Sequence, residues 1–370
     1  MSSDSKTKLY GLDHLRALAI TFVFLYHYRV PIFGHPDWIN DVAKFGWTGV
    51  DLFFVLSGFL ISSQLFEQIK RGEIISFKEF FLKRFFRIIP AFWVVVAIYF
   101  FFPAFHERES LSPLWRFLTF TQNFGLDIKQ CGTFSHSWSL CVEEHFYFLL
   151  PLILIAFQLT GLMKKAYWLL IALFISGFFV RIYNWNTFFI EHIDADNAWL
   201  YWYKYIYYPT YNRIDGLLAG VAIAGLYQFR PNLWATISKY GNLLVALSLL
   251  ALTGAYFLCY EEESYRATIF GFPLVSIGYG LMLTGAISPS CFLFKLNSRV
   301  TTFIATLSYA LYLTHKGVIH IIQEFLKDTL DVNSNTMLII CIITSLIAAL
   351  LLNLIVEKPF MKLRKKVLEK

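Results

Sequence analysis

The chain has 370 residues, of which 57% are hydrophobic, 19% aromatic and only 15% charged. Soluble domains carry roughly a quarter of their residues as charges, so this composition weighs against a water-soluble enzyme and for an integral membrane protein. The formal net charge of +7 does not read as nucleic-acid binding, because Lys and Arg fall in short clusters between long apolar runs; the five cysteines are too few for a disulfide scaffold.

A helix needs about 20 mainly apolar residues to cross a bilayer. Runs of that kind lie at 12–33, 45–66, 86–105, 143–161, 166–183, 211–229, 241–259, 268–287, 302–324 and 337–356. The expected fold is therefore all-α: a bundle of about ten transmembrane helices forming one domain over residues 1–370. Arg16 in the first run, with no small-residue cleavage site after it, argues against a removable signal peptide. Lys and Arg divide about two to one in favour of the side that holds Lys6, Lys8, the Lys70–Arg87 cluster and the basic tail Lys358 to Lys370. By the positive-inside rule both termini are then cytoplasmic. The segments 106–142 and 184–210 fall on the outer side; they are long and rich in Trp, Tyr and His, as functional loops are.

A charge within a span costs about 2.5–3.5 kcal/mol even on gentle scales, so each one needs a partner or a purpose. In the first run Arg16 and His27 are eleven residues apart. Eleven steps of 100° return both to within about 20° of one face, separated by a rise of roughly 16 Å. Asp51 opens the second run from the outer side, with Ser57 and Gly58 deeper. Trp138, Glu143 and Tyr147 lie at the outer start of the fourth, Glu143 and Tyr147 sharing a face at i,i+4. Arg213 and Asp215 open the sixth, and Tyr312 and His315 lie on one face of the ninth. Five runs thus aim polar groups at the outer half of one bundle. At the inner start of the third run, Arg84 and Arg87 share a face and suit a phosphate clamp, set against simple topology and attraction to anionic lipid. The basic tail reads as a solvated anchor. No metal-ligand spacing, Walker loop or dinucleotide fingerprint is present.

The segments LDHLRALAITFVFLYHY, GVDLFFVLSGFL, KRFFRIIP, WSLCVEEHFYFLLP, RIDGLLAG and SYALYLTH, in this order and spacing, resemble the signatures of the bacterial acyltransferase-3 membrane family, over about residues 9–360. The resemblance implies an acyltransferase of the bacterial inner membrane in its single-domain form, without an added hydrolase-like domain. The donor it implies is cytoplasmic acyl-CoA, acetyl-CoA by default. The implied acceptor is a hydroxyl of a cell-surface or exported glycan. It also implies that Arg16 and His27 are central, that Arg84 and Arg87 hold the donor, and that Glu143 is needed.

Moving an acyl group from a thioester to a hydroxyl requires removal of the hydroxyl proton, stabilisation of the developing oxyanion and departure of the thiolate. Histidine is the natural base, which assigns that role to His27. Glu143 is the first candidate to orient it and Asp51 the second; an acyl-His27 relay is the covalent variant. Arg16 would meet donor phosphate or the anionic centre, and the small Ser57–Gly58 pair permits either close helix packing or backbone access for the donor. The competing reading is a transporter or flippase with His27, Glu143, Arg213 and His315 as its relay. The absence of an evident internal repeat stands against it.

Overall fold

The computed structural model describes residues 9–30 and 33–368; Lys6, Lys8 and Lys370, used above for topology, lie outside them. Among the described residues every regular element is a helix. Ten helices of 15 residues or more coincide with the ten apolar runs: α1 (Tyr10–Arg29), α2 (Gly49–Lys70), α3 (Phe77–Phe101), α4 (Trp138–Leu159), α5 (Ala166–Asn184), α6 (Asp215–Phe229), α7 (Gly241–Leu258), α8 (Phe272–Ala286), α9 (Arg299–Leu326) and α10 (Asn335–Leu352). A further helix, α11 (Lys358–Leu368), follows α10 through a π-helical turn at Asn353–Glu357.

Local sequence explains the boundaries. Ser76, Ser298 and Ser334 each accept a backbone N–H three residues on, from Glu79, Thr301 and Met337. Such caps contribute about 1 kcal/mol each and start α3, α9 and α10. The cap at Ser76 moves the start of the third helix ahead of the expected 86: helix begins at Phe77, so Lys83, Arg84 and Arg87 stand within its first three turns.

Among the described residues seven helical stretches are long and apolar enough to cross a membrane. The three long helices outside that set are α6, at 15 residues, and α1 and α9, whose runs are broken by polar and charged groups. The structure therefore supports seven spans on length and composition where the sequence reading gives ten. Exposed Leu250, Phe257, Ile355 and Phe179 cover the flank of the bundle, the pattern expected where lipid is the solvent.

The middle of the bundle is marked by burial: α2 and α8 are about three-quarters buried, at 72% and 78% of their apolar windows, whereas the stretch containing α5 is 11% buried. α2 and α6 lie backbone to backbone. A Cβ at Gly58 would fall 2.2 Å from the Leu217 carbonyl oxygen, and one at Gly220 would fall 2.3 Å from that of Val55. Only glycine permits this approach. Around that pair, α1 packs on α2 and along α9, and α11 packs against α3.

Candidate active site

Two cavities enter the bundle. The first, of about 630 Å³, is lined by Arg16 of α1, Ser57 of α2, Arg84 and Arg87 of α3, Glu143 and Tyr147 of α4, and Lys358, Lys362 and Lys365 of α11. Six basic side chains face two carboxylates there, Glu143 and Glu357. Its volume lies within the roughly 300–1,000 Å³ typical of cofactor-sized ligand sites. The second, of about 140 Å³, is lined by His27, His136, Trp47, Trp138, Tyr203, Tyr207 and Lys316 among others. Val50 and Tyr312 line both, so the cavities stand back to back with a wall about one side chain thick.

Tyr312 is fixed in that wall. Its hydroxyl donates to the His136 carbonyl oxygen and lies 2.6 Å from the Ser139 Oγ. Ser139 faces the basic cavity and His136 the aromatic one, so the start of α4 supplies both sides of the partition. The approach to α4 is itself held in place: Phe134 is left-handed at φ 57°, a conformation that costs an L-residue about 1–2 kcal/mol. Its N–H donates to the Glu107 carboxylate at 3.0 Å, and the same oxygen pairs with Lys316 of α9 at 3.1 Å.

His27 contacts neither carboxylate proposed from the sequence. Its Nδ1 lies 2.8 Å from Nε2 of His315. The Nδ1 of His315 is 2.9 Å from the carbonyl oxygens of both Leu311 and Tyr312. Carbonyls only accept, so His315 carries its proton on Nδ1 and presents a lone pair at Nε2. His27 must then donate from Nδ1, which leaves its own Nε2 unprotonated on a ring lining the aromatic cavity. The ring of His136 completes the cluster, with its centroid 5.0 Å from that of His315 and 5.5 Å from that of His27.

Glu143 instead belongs to the basic cavity, where it accepts from the Ser57 Oγ at 2.7 Å and the Tyr147 hydroxyl at 3.1 Å. Nearby, Arg84 donates to the Gln64 side chain at 3.3 Å and lies 5.5 Å over the Tyr147 ring. Gly58, next to Ser57, turns away from the cavity into the contact with α6. Arg16 and His27 do occupy one helix face, but they open onto different cavities.

Asp51 is buried in a two-pronged pair with Arg213, whose Nη2 lies 2.9 and 3.0 Å from its two oxygens. The guanidinium is sandwiched by Phe272 at 4.1 Å and Tyr207 at 4.3 Å. Asp215 is likewise held by Arg181 at 2.6 Å. These pairs tie α2, α5 and α6 together and line neither cavity. Trp138 packs against Tyr207 with centroids 4.9 Å apart and the rings tilted by 57°, and it faces the aromatic cavity.

Sequence reasoning missed three contributors. His136 sits outside the apolar runs in SHSW, where only its place next to a predicted span marks it. Glu107 is remote in sequence from both of its partners. The lysines of the basic tail read as an anchor, although their 4- and 3-residue spacing puts them on one helix face.

A family model described as an acyltransferase domain matches residues 9–354. The peptidoglycan O-acetyltransferase OatA of Listeria monocytogenes is 28% identical over 342 residues, which cover 86% of this chain and 50% of that protein. The O-acetyltransferase OatA of Staphylococcus aureus is 27% identical over 335 residues, covering 85% of this chain and 51% of that protein. The chain thus spans about half the length of the curated relatives it matches. No solved structure matches it. With a match that runs through both cavities and nearly the whole chain, the protein belongs to the acyltransferase-3 family of membrane acyltransferases.

Proposed function

We propose that the protein is a membrane O-acetyltransferase that takes its acyl group from acetyl-CoA in the basic cavity and gives it to a hydroxyl of a cell-envelope glycan in the aromatic one. In this reading ten helices cross the bacterial inner membrane, both termini are cytoplasmic, and the basic cavity opens to the cytoplasm. The observation that carries it is the pair of back-to-back cavities, one basic and one aromatic, with a histidine cluster beside their shared wall.

The donor's phosphates meet Arg84 and Arg87, for which planar guanidinium forks are suited. Its pantetheine arm runs past Arg16, Ser57 and Glu143 to the wall at Val50 and Tyr312. Glu143, occupied by Ser57 and Tyr147, orders the donor arm rather than the base. On the other side the acceptor's sugar ring lies against Trp138, Tyr203 and Tyr207, whose faces suit the C–H edges of a sugar. His27 Nε2 takes the hydroxyl proton as the hydroxyl oxygen attacks the thioester carbonyl carbon. The carbon–sulfur bond breaks, and His27 returns the proton to the departing thiolate, giving free CoA thiol and an O-acetyl ester. His315 acts as a positioning residue by fixing the His27 tautomer.

Base-labile O-acetyl on envelope glycans, with [14C]acetyl-CoA as donor and inside-out membrane vesicles as enzyme, tests this. Wild type should transfer label and His27→Ala should lose at least about a hundredfold of that rate, as expected for a general base. CoA binding should be unchanged. Loss of CoA binding in a well-folded His27→Ala protein, or transfer undiminished by the substitution, would overturn the assignment.

A further inference from the structure

Helix α11 carries an unusual division of its surface. Lys358, Lys362 and Lys365 fall within about a 60° arc at 100° per residue, while Phe360, Leu363 and Val367 fall within a similar arc on the opposite side. The three lysines are exposed and line the basic cavity, whereas Leu363 and Val367 are exposed away from it. An anchor helix at a membrane surface would turn its lysines to the lipid headgroups and its apolar face into the bilayer. Here Leu363 and Val367 are free to meet lipid, but the lysines, exposed as they are, stand along a cavity rather than only toward headgroups.

The junction above α11 contributes a second feature. The π-helical turn Asn353–Glu357 shifts the helix phase before Lys358, and such turns cluster at functional sites. Within it the Asn353 side-chain amide donates to the Glu357 Oε2. The other carboxylate oxygen, Oε1, is buried and has no hydrogen-bond partner among the described residues, on a side chain that lines the cavity. A buried acceptor left open is costly unless a ligand N–H completes it.

We infer that α11 is the nucleotide-recognition wall of the donor cavity, in which Lys358, Lys362 and Lys365 bind the phosphates of the CoA nucleotide, the 3′-phosphate included, and Glu357 Oε1 accepts an N–H of the same donor. The inference rests on the CoA-thioester reading above. Arg84 and Arg87 on α3, the helix against which α11 packs, line the same cavity, so the two helices divide the donor's phosphates between them.

The test compares CoA, 3′-dephospho-CoA and pantetheine binding by calorimetry, in nanodiscs of phosphatidylcholine and again with added phosphatidylglycerol. Wild type should prefer CoA to dephospho-CoA by about tenfold or more. The variant Lys358→Gln/Lys362→Gln/Lys365→Gln should bind the two almost equally, and the single Lys362→Gln should fall between. Glu357→Gln should weaken CoA and dephospho-CoA alike. If wild type binds neither nucleotide, the donor reading itself fails. If the triple variant keeps the wild-type preference, the donor reading stands and the role of α11 is overturned. A triple variant whose only defect is weaker attachment to phosphatidylglycerol, with its CoA preference intact, would assign the lysines to lipid headgroups and overturn it equally.

Discussion

The two cavities solve opposite recognition problems within one bundle. The basic one is large and, beside aromatic side chains such as Phe53, Tyr147 and Tyr309, carries six basic groups, so charge sets it apart. The aromatic one is small and ringed by Trp, Tyr and His, so its selectivity comes from shape and planar faces. A bulky anion with a fixed chemical form suits the first, and an uncharged ring suits the second. In the proposed reaction the acyl group is transferred at the wall between them.

Substitutions that leave both cavities untouched should show the largest effect, and it should fall on the fold. Arg213→Ala strands the buried Asp51 carboxylate and should cost about 3–5 kcal/mol of stability, read as thermal unfolding in detergent. Replacing both partners, with Asp51→Leu and Arg213→Met, should recover most of it. A stable Arg213→Ala protein that had lost transfer would move this pair from the scaffold into the reaction.

Next comes the element that sharpens the contrast from within the wall. His315→Ala should lower kcat by about tenfold to a hundredfold while donor KM holds, because His27 loses the acceptor that fixes its tautomer. His315→Gln, whose amide oxygen can still accept from His27 Nδ1, should recover part of the rate. The pH–rate profile of the Ala variant should change shape, and that of the Gln variant should follow wild type. Equal losses in the two variants, with unchanged profiles, would reduce His315 to packing.

Arg84→Ala/Arg87→Ala should do the reverse, raising donor KM about tenfold with kcat and acceptor KM held. A drop in kcat at unchanged KM would break the division between binding by charge and chemistry at the wall. The smallest effect belongs to the rim of the aromatic side. Glu262 lies in the turn between α7 and α8, and burial pushes its carboxyl up to about 7, from roughly 4.3 in an unfolded chain. A raised carboxyl favours the folded state most below about pH 4, and that contribution is lost as pH rises through about 7. Wild-type thermal stability should therefore fall relative to Glu262→Gln between about pH 5 and pH 8. Parallel pH profiles would place the carboxyl in water.

The helices were legible because apolar runs of about 20 residues have few other readings, and every run folds as one. The largest shift, at Phe77, came from a serine cap that hydropathy does not register. Arg16, His27, Ser57, Glu143, Tyr147, Tyr312 and His315 were visible as polar groups in apolar surroundings, and all line or contact one of the cavities. Their pairing was not visible. Depth along a helix can be counted, but rotation about neighbouring helices cannot, so Glu143 and Asp51 matched His27 in depth and still face elsewhere. His315 was the better partner all along, yet nothing local distinguishes a histidine that bonds its own helix carbonyls from one that binds substrate.

The clasp between α1 and α9 has a consequence for how the protein is made. Asp13 and His14 are tied to Thr302 and Thr301 near one end of this helix pair, and His27 to His315 further along it. Both helices are too polar to rank with the seven strongly apolar stretches, and the two histidines are 288 residues apart in the chain. When α1 leaves the ribosome, its partner has yet to be synthesised. Its polar face must wait, shielded by the insertion machinery or by water, until nearly the whole polypeptide has followed. The contact between His27 and His315 is then among the last in the molecule to form.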